Sequence, residues 1–369
     1  MKKITALLLA LVLCFTLCAC SAEKDKNEAA DEITTLSDVG SQETTQAETT
    51  EPLTTEPLTT EEETSAFPEE EGTLPEVPVV DLPISEKESI SPILYKVSDA
   101  KGNVIWLFGS IHVGKEEFYP LPDYVMNAYN SSDVLAVEAN VLSAEEDVTG
   151  LMNAMRPLLY TDGTTIKDHI SEETYTAAVD ALTQLGLYNV AFEYYCPAMW
   201  WSLIESAIIL ETEVDATLGI DMYLLSLAVE QEKEIYEIES VAFQYGMLGN
   251  FSPELQEALL ASVVGYVDNP EAYIQSLYEL MDLWTQGDEK ALSEYLASSD
   301  EDTGVSDEIY DEYNTAMITD RNNNMTEYAV DALASGEEVF ICVGAAHVIG
   351  DGAIAENLRE LGYTVEMVR

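Results

Sequence analysis

The 369-residue chain carries 70 acidic against 15 basic residues, a formal net charge of −55, and only three histidines. Phosphate recognition needs a basic face, so this composition excludes nucleic acid as a partner. Five cysteines give no disulfide framework, and the acidity suits a solvated, secreted protein that resists association.

The chain opens with Met1-Lys2-Lys3 and runs apolar from Ile4 to Cys18. This run is too short to span a bilayer comfortably and reads as a secretory signal over residues 1–19. Its end, Leu17-Cys18-Ala19-Cys20, resembles the bacterial lipobox. That resemblance implies cleavage before Cys20, lipidation of Cys20, and anchorage on the extracellular face of the cell membrane. Residues 20–90 are rich in Glu, Thr, Ser, Asp and Pro, include a tandem Glu-Pro-Leu-Thr-Thr repeat, and have Phe67 as their one aromatic residue. Such a stretch buries too little apolar surface to offset its ordering entropy, and is expected to be a disordered tether. A flexible coil of about 70 residues reaches roughly 45 Å.

Residues 91–369 form the expected globular domain. Residues 93–97 and 104–108 read as a hairpin around Asp99-Ala100-Lys101-Gly102-Asn103. A helix over 121–130 has Pro122 in its first turn, and 133–138 is a strand ending at Glu138. Residues 144–159, 172–185, 198–210 and 218–231 read as helices, and 233–238 as a strand. A long helical region spans 241–296 with breaks near Pro253 and Pro270, followed by a loop at 300–304. Residues 308–335 give one or two helices stopped by Gly336. The chain ends with a strand at 339–343, a helix at 353–361 and a strand at 363–367. Strands separated by helices imply an α/β fold: a mixed β-sheet flanked by helices, with a helical insertion.

Two of the three histidines close the same motif. Gly109-Ser110-Ile111-His112 follows the apolar run 104–108, and Gly344-Ala345-Ala346-His347 follows 339–343. Open α/β sheets place ligands at the C-terminal ends of their strands. Two imidazoles brought to one sheet edge would form half of a metal site. The bland alternative is a pair of turn or core histidines. His169, beside Asp168 in a polar stretch, reads as a surface residue. Cys196 and Cys342 read as buried free thiols, and Trp200-Trp201 with Tyr194-Tyr195 as core packing.

The ordered set of motifs resembles the TraB/GumN family, which includes pheromone-shutdown proteins and the Tiki proteases. The resemblance spans residues 93–369. It rests on both glycine-x-x-histidine motifs, Phe118-Tyr119-Pro120-Leu121-Pro122, Ala136-Val137-Glu138, Gly219-Ile220-Asp221, Ile238-Glu239-Ser240 with Gln244, Arg321-Asn322, and the glycines Gly350 and Gly352. Ser110 and Ser240 stand where the family commonly has threonine, and the turn after His347 is one residue short. The resemblance implies a metal-dependent hydrolase. His112, His347 and Glu138 are then the metal-binding candidates, and Glu138 and Arg321 the catalytic ones. Gly109, Ser110, Gly344, Asp221, Glu239 and Asn322 would support ligands or substrate.

Imidazoles with a carboxylate favour Mn or Co, with Zn possible. A bound cation would lower the pKa of water, a nearby carboxylate could take its proton, and Arg321 could stabilise an oxyanion. Whether Glu138 ligates or acts as base is open in the sequence. The expected substrate is a secreted peptide or protein. Two rivals stand beside this: a non-catalytic peptide-sequestering protein, and a metal-independent esterase-type hydrolase with histidine as base.

Overall fold

The computed structural model describes residues 90–297 and 306–369. The expected signal, Cys20, nearly all of the tether and the 300–304 loop lie outside the described residues.

One six-stranded sheet organises the domain, in the order β4-β3-β5-β2-β1-β6. Its strands are β1 (Leu94–Ser98), β2 (Val104–Ser110), β3 (Val134–Val137), β4 (Glu234–Glu237), β5 (Val339–Gly344) and β6 (Thr364–Val368). β2, β5, β3 and β4 pair in parallel, whereas β1 is antiparallel to both β2 and β6. The sheet is therefore mixed, and the α/β architecture expected from the sequence is present. β5 is buried along its whole length, as a central strand covered on both faces must be. Phe340 on β5 meets Phe108 on β2 at 5.6 Å and Tyr129 edge-on at 5.8 Å, which knits strand and helix into one core.

The crossing pattern matters most for function. β2 and β3 are not neighbours; β5 lies between them, although more than 200 residues of chain separate it from β2. Ser110 is level with Gly344 across one ladder, and Val137 with Cys342 across the other. The segments leaving β2, β3 and β5 thus emerge side by side at one sheet edge. β4 joins them, because Glu239 N–H donates to the Glu138 carbonyl at 2.8 Å just beyond the strand ends.

The helices follow the sequence reading with three instructive departures. α1 (Asp123–Ser131) follows Pro122. The expected helix over 144–159 is instead α2 (Val141–Glu146), α3 (Val148–Ala154) and a 3-10 turn, Arg156–Leu158. Asp147 causes the first break: its carboxylate accepts from Gly150 N–H at 3.0 Å and restarts the helix as an N-cap. α4 (Glu172–Gln184), α5 (Pro197–Leu210), α6 (Ile220–Glu230), α7 (Val241–Gly249), α8 (Pro253–Val264) and α9 (Glu271–Gln286) match the expected helical regions. The second departure is a break at Gly287, which separates α9 from α10 (Glu289–Ala297) and adopts φ 62. The third is a π-helical stretch, Thr315–Thr319, joining α11 (Asp307–Asn314) to α12 (Asp320–Ser335). π-segments often mark functional positions, and this one ends just before Arg321. α13 (Ala345–Val348), too short to be read from periodicity, carries His347, and α14 (Ile354–Glu360) precedes β6.

Trp200 and Trp201 are fully buried, as expected, whereas Tyr194 is exposed. Cys196 and Cys342 are buried free thiols. His169 is half-buried rather than on the surface. Its ring stacks on Tyr160 at 4.0 Å, and its Nε2 meets Thr164 Oγ1 at 2.7 Å.

Candidate functional site

His112 lies two residues beyond β2, in a loop tied to the start of α6. Ile220 N–H donates to the Ile111 carbonyl at 2.9 Å, and Gly114 and Asp215 exchange two backbone bonds. Gly219 is required at this junction: a Cβ there would sit 2.3 Å from the His112 carbonyl oxygen. The close approach brings Asp221, in the first turn of α6, against the loop. Its Oδ2 meets His112 Nδ1 at 2.8 Å, while Ser110 Oγ donates to its Oδ1. Serine and histidine therefore share one carboxylate and do not bond each other in series, so no nucleophilic Ser-His-Asp relay exists here. Burial disfavours the imidazolium, but the Asp221 charge and hydrogen bond, with Glu138 behind them, outweigh it and raise His112 to about 9.

His347 is anchored differently. Its Nδ1 meets Asn322 Oδ1 at 2.8 Å, and Asn322 Nδ2 donates to the Gly352 carbonyl at 3.0 Å. The amide is oriented by that second bond, so Nδ1 of His347 carries the hydrogen and Nε2 keeps a lone pair. Burial and then the Arg321 charge lower its pKa to about 3, against the pull of Glu138. One imidazole is thus held beside an anion and the other beside a neutral amide. Such partners on the far ring nitrogen are what metal-ligating histidines usually have.

Between them lies Glu138, one residue past β3. Its Oε1 accepts from Gly344 N–H at 2.8 Å. Its Oε2 accepts from Arg321 Nη2 at 2.5 Å and from Gln244 Nε2 at 3.3 Å. Burial alone would raise its pKa, but Arg321 and then the two imidazoles hold it well below the usual carboxylate range. Arg321 is shared: Nε donates to Glu239 Oε1 at 2.7 Å and Nη2 to Glu239 Oε2 at 3.0 Å. Gln244 Nε2 also reaches Glu239 Oε2 at 3.1 Å. One guanidinium, 2% exposed, serves two buried carboxylates. Glu239 is the less compensated of the two, and burial with the neighbouring Glu138 charge leaves its pKa raised despite Arg321.

Gly344 marks the centre of the arrangement. A Cβ built on it would lie 3.4 Å from Glu138 Oε1, 3.4 Å from His112 Nε2 and 3.8 Å from His347 Cδ2. Glycine leaves open the one spot that three chemically active side chains surround. Opposite stands an apolar wall of Ile111, Leu280, Trp284, Leu292 and Leu296, enclosing a cavity of about 40 Å³. Trp284 is fixed by an Nε1–H bond to the Gly109 carbonyl at 2.9 Å and by a tilted contact with Phe118 at 5.6 Å. Cys342 beneath the site is kept a thiol: burial, then Asp221, pushes its pKa well up.

His112, His347, Glu138, Arg321, Asp221, Glu239, Asn322, Ser110, Gly109 and Gly344 all gather at this edge. The wall formed by α9 and α10 was not singled out in the sequence. Leu292 and Leu296, four apart on a short amphipathic helix, were the available signal. Among the described residues, no group of three or more His, Cys, Asp and Glu is arranged to hold a metal ion. Both Glu138 oxygens accept hydrogen bonds and each imidazole has its Nδ1 held, so Nε2 is the nitrogen that can face a cation, in His112 once that ring has given up its proton. The space at Gly344 and the bonded Nδ1 atoms fit a cation held by His112 and His347, with Glu138 beside it as a third candidate ligand or as a base.

The TraB/PrgY/gumN family profile matches residues 93–367. The chain belongs to the TraB/PrgY/gumN family. That span covers the described domain and every residue of the site. Among curated proteins it is similar to "Uncharacterized protein YbaP" of Escherichia coli (strain K12), 24% identical over 255 residues, covering 69% of this chain and 87% of the relative. The protein of the same name from Shigella flexneri matches with the same identity and coverage. No solved structure matches.

Proposed function

We propose that this domain is a metal-dependent hydrolase acting on peptide bonds of a secreted peptide or protein. The observation that supports it is the convergence of two anchored imidazoles and Glu138 on the space left by Gly344. His112 and His347 would hold a divalent cation, with Mn or Co favoured and Zn possible. When bound, the cation would supply Lewis acidity and a more acidic water. Asp221 and Asn322 orient the two rings by holding Nδ1. Glu138 stays ionised at neutral pH, so Oε1 accepts a hydrogen bond from an attacking water and arrives unprotonated. Arg321 keeps that carboxylate charged and in place.

The test is divalent-metal content and cleavage of a fluorogenic peptide library, for the wild type, His112→Ala and His347→Ala. Metal and cleavage in the wild type alone are expected. Equal, negligible metal in all three, with no cleavage, refutes the reading.

A second reading, peptide capture without cleavage, draws on the commitment of Glu138 Oε2 to Arg321 and Gln244. Mass spectrometry separates the two: intact peptide co-purifying with metal-loaded protein supports capture. Activity that survives strong chelation would instead support a metal-independent hydrolase with His347 as base. We also propose that the domain is held on the outer face of the membrane by a lipid on Cys20. Incorporation of labelled palmitate, lost in Cys20→Ala, tests this.

A further inference from the structure

The wall facing the imidazoles differs sharply from the polar network behind them. Ile111, Leu280, Trp284, Leu292 and Leu296 bring no charge to it, and the titratable side chains lining the cavity are the two histidines. We propose that this wall is a pocket for one short, uncharged aliphatic side chain of the substrate, so that the preferred bonds are flanked by a residue between alanine and leucine in size. The proposal rests on the hydrolytic reading above and narrows its substrate class.

Three observations carry it. The first is size. The cavity measures about 40 Å³, against the roughly 10–15 Å³ that one water occupies by this measure. A branched alkyl group of three or four carbons fits; an indole or phenol ring does not. The second is polarity. A lysine side chain entering here would lose its hydration and meet no opposite charge, and an aspartate would meet only His112, whose charge is already paired with Asp221, so both are unfavourable. The third is the origin of the size limit. Trp284 is locked by its bond to the Gly109 carbonyl. Leu292 and Leu296 lie on one face of α10, which joins α9 through Gly287. The size limit is therefore set by the two leucines of α10.

Binding of small amides to the full chain tests the pocket without requiring turnover. The probes are the N-acetyl amides of leucine, lysine, aspartate and tryptophan, followed by NMR of labelled leucine methyl groups. Leucine amide is expected to shift the Leu280, Leu292 and Leu296 methyls, with lysine and aspartate amides binding at least tenfold more weakly. Leu292→Phe fills the cavity and should weaken leucine amide at least tenfold. Leu296→Ala enlarges it and should admit the tryptophan amide. Leu296→Phe serves in place of Leu292→Phe if the latter fails to fold. Equal binding of all four amides, no binding of the leucine amide, or leucine-amide binding indifferent to the phenylalanine substitutions overturns the proposal. Selective leucine-amide binding without cleavage of any peptide sinks the hydrolytic reading and leaves the pocket standing. Cleavage that ignores the flanking side chain removes the pocket alone.

Discussion

Replacing Arg321 with alanine removes the guanidinium that bonds both Glu138 and Glu239 and leaves both carboxylates buried with Gln244 as their shared side-chain donor. Removing one partner of a buried ion pair typically costs about 3–5 kcal/mol, and two stranded carboxylates place Arg321→Ala at the upper end. The loss depends on pH. Without the guanidinium, both carboxyls acquire raised pKa values in the folded state. A raised acid binds more protons folded than unfolded, so its neutral form stabilises the fold at low pH and that contribution is lost as pH rises. In the wild type, Glu138 works oppositely: its lowered pKa stabilises the fold above the ordinary carboxylate range and is lost on acidification. Urea unfolding at pH 5 and pH 8 therefore gives a larger penalty for Arg321→Ala at pH 8. Arg321→Lys keeps the charge but not the fork, and falls between. Adding Glu239→Gln to Arg321→Ala restores part of the loss by removing one stranded charge. A penalty below about 1 kcal/mol at both pH values would refute the shared-arginine argument.

Glu205 on α5 is buried, donated to by Tyr273 OH at 2.6 Å, and pushed up by burial to about 8. Its folded pKa is raised, so its contribution is whole below the ordinary carboxylate range and lost between there and pH 8; Glu205→Gln should remove a decline of up to about 4 kcal/mol, seen as a flatter dependence of Tm on pH. Asp221→Ala and Asn322→Ala each free one imidazole to rotate, and calorimetric titration with Mn should show about 10–100-fold weaker binding in each. Unchanged affinity in both would remove the anchoring argument. Gly344→Ala places a methyl at 3.4 Å from both Glu138 Oε1 and His112 Nε2, so the fold should persist by circular dichroism while metal binding and cleavage are lost.

Much of this site was legible in the sequence because its residues sit where a strand ends, and strand ends are readable. His112, Glu138 and Gly344 each follow an apolar run within a few residues. Arg321, Asn322 and Asp221 came instead from the ordered resemblance to a family, since nothing in local periodicity distinguishes a helix residue facing a cleft from one facing the core. The strand order was not legible. Periodicity marks β5 as a buried strand but carries no information on its neighbours, so its place between β2 and β3 emerges only from the fold. The apolar wall was missed for the opposite reason. Leu280, Trp284, Leu292 and Leu296 look like ordinary core residues, and all that sets them apart is the small volume they leave unfilled. The break at Gly287 was overlooked because one glycine in a long helical pattern is often tolerated.

The late arrival of β5 bears on how the protein matures. Until Val339 and the residues after it are delivered, the middle of the sheet is vacant. β2 and β3 then lack their common partner, and His112 stands without its counterpart. A nascent or C-terminally clipped chain would therefore hold His112, Glu138 and Arg321 and still lack the assembled site. The candidate site would come together only when β5 zips into the middle of the sheet.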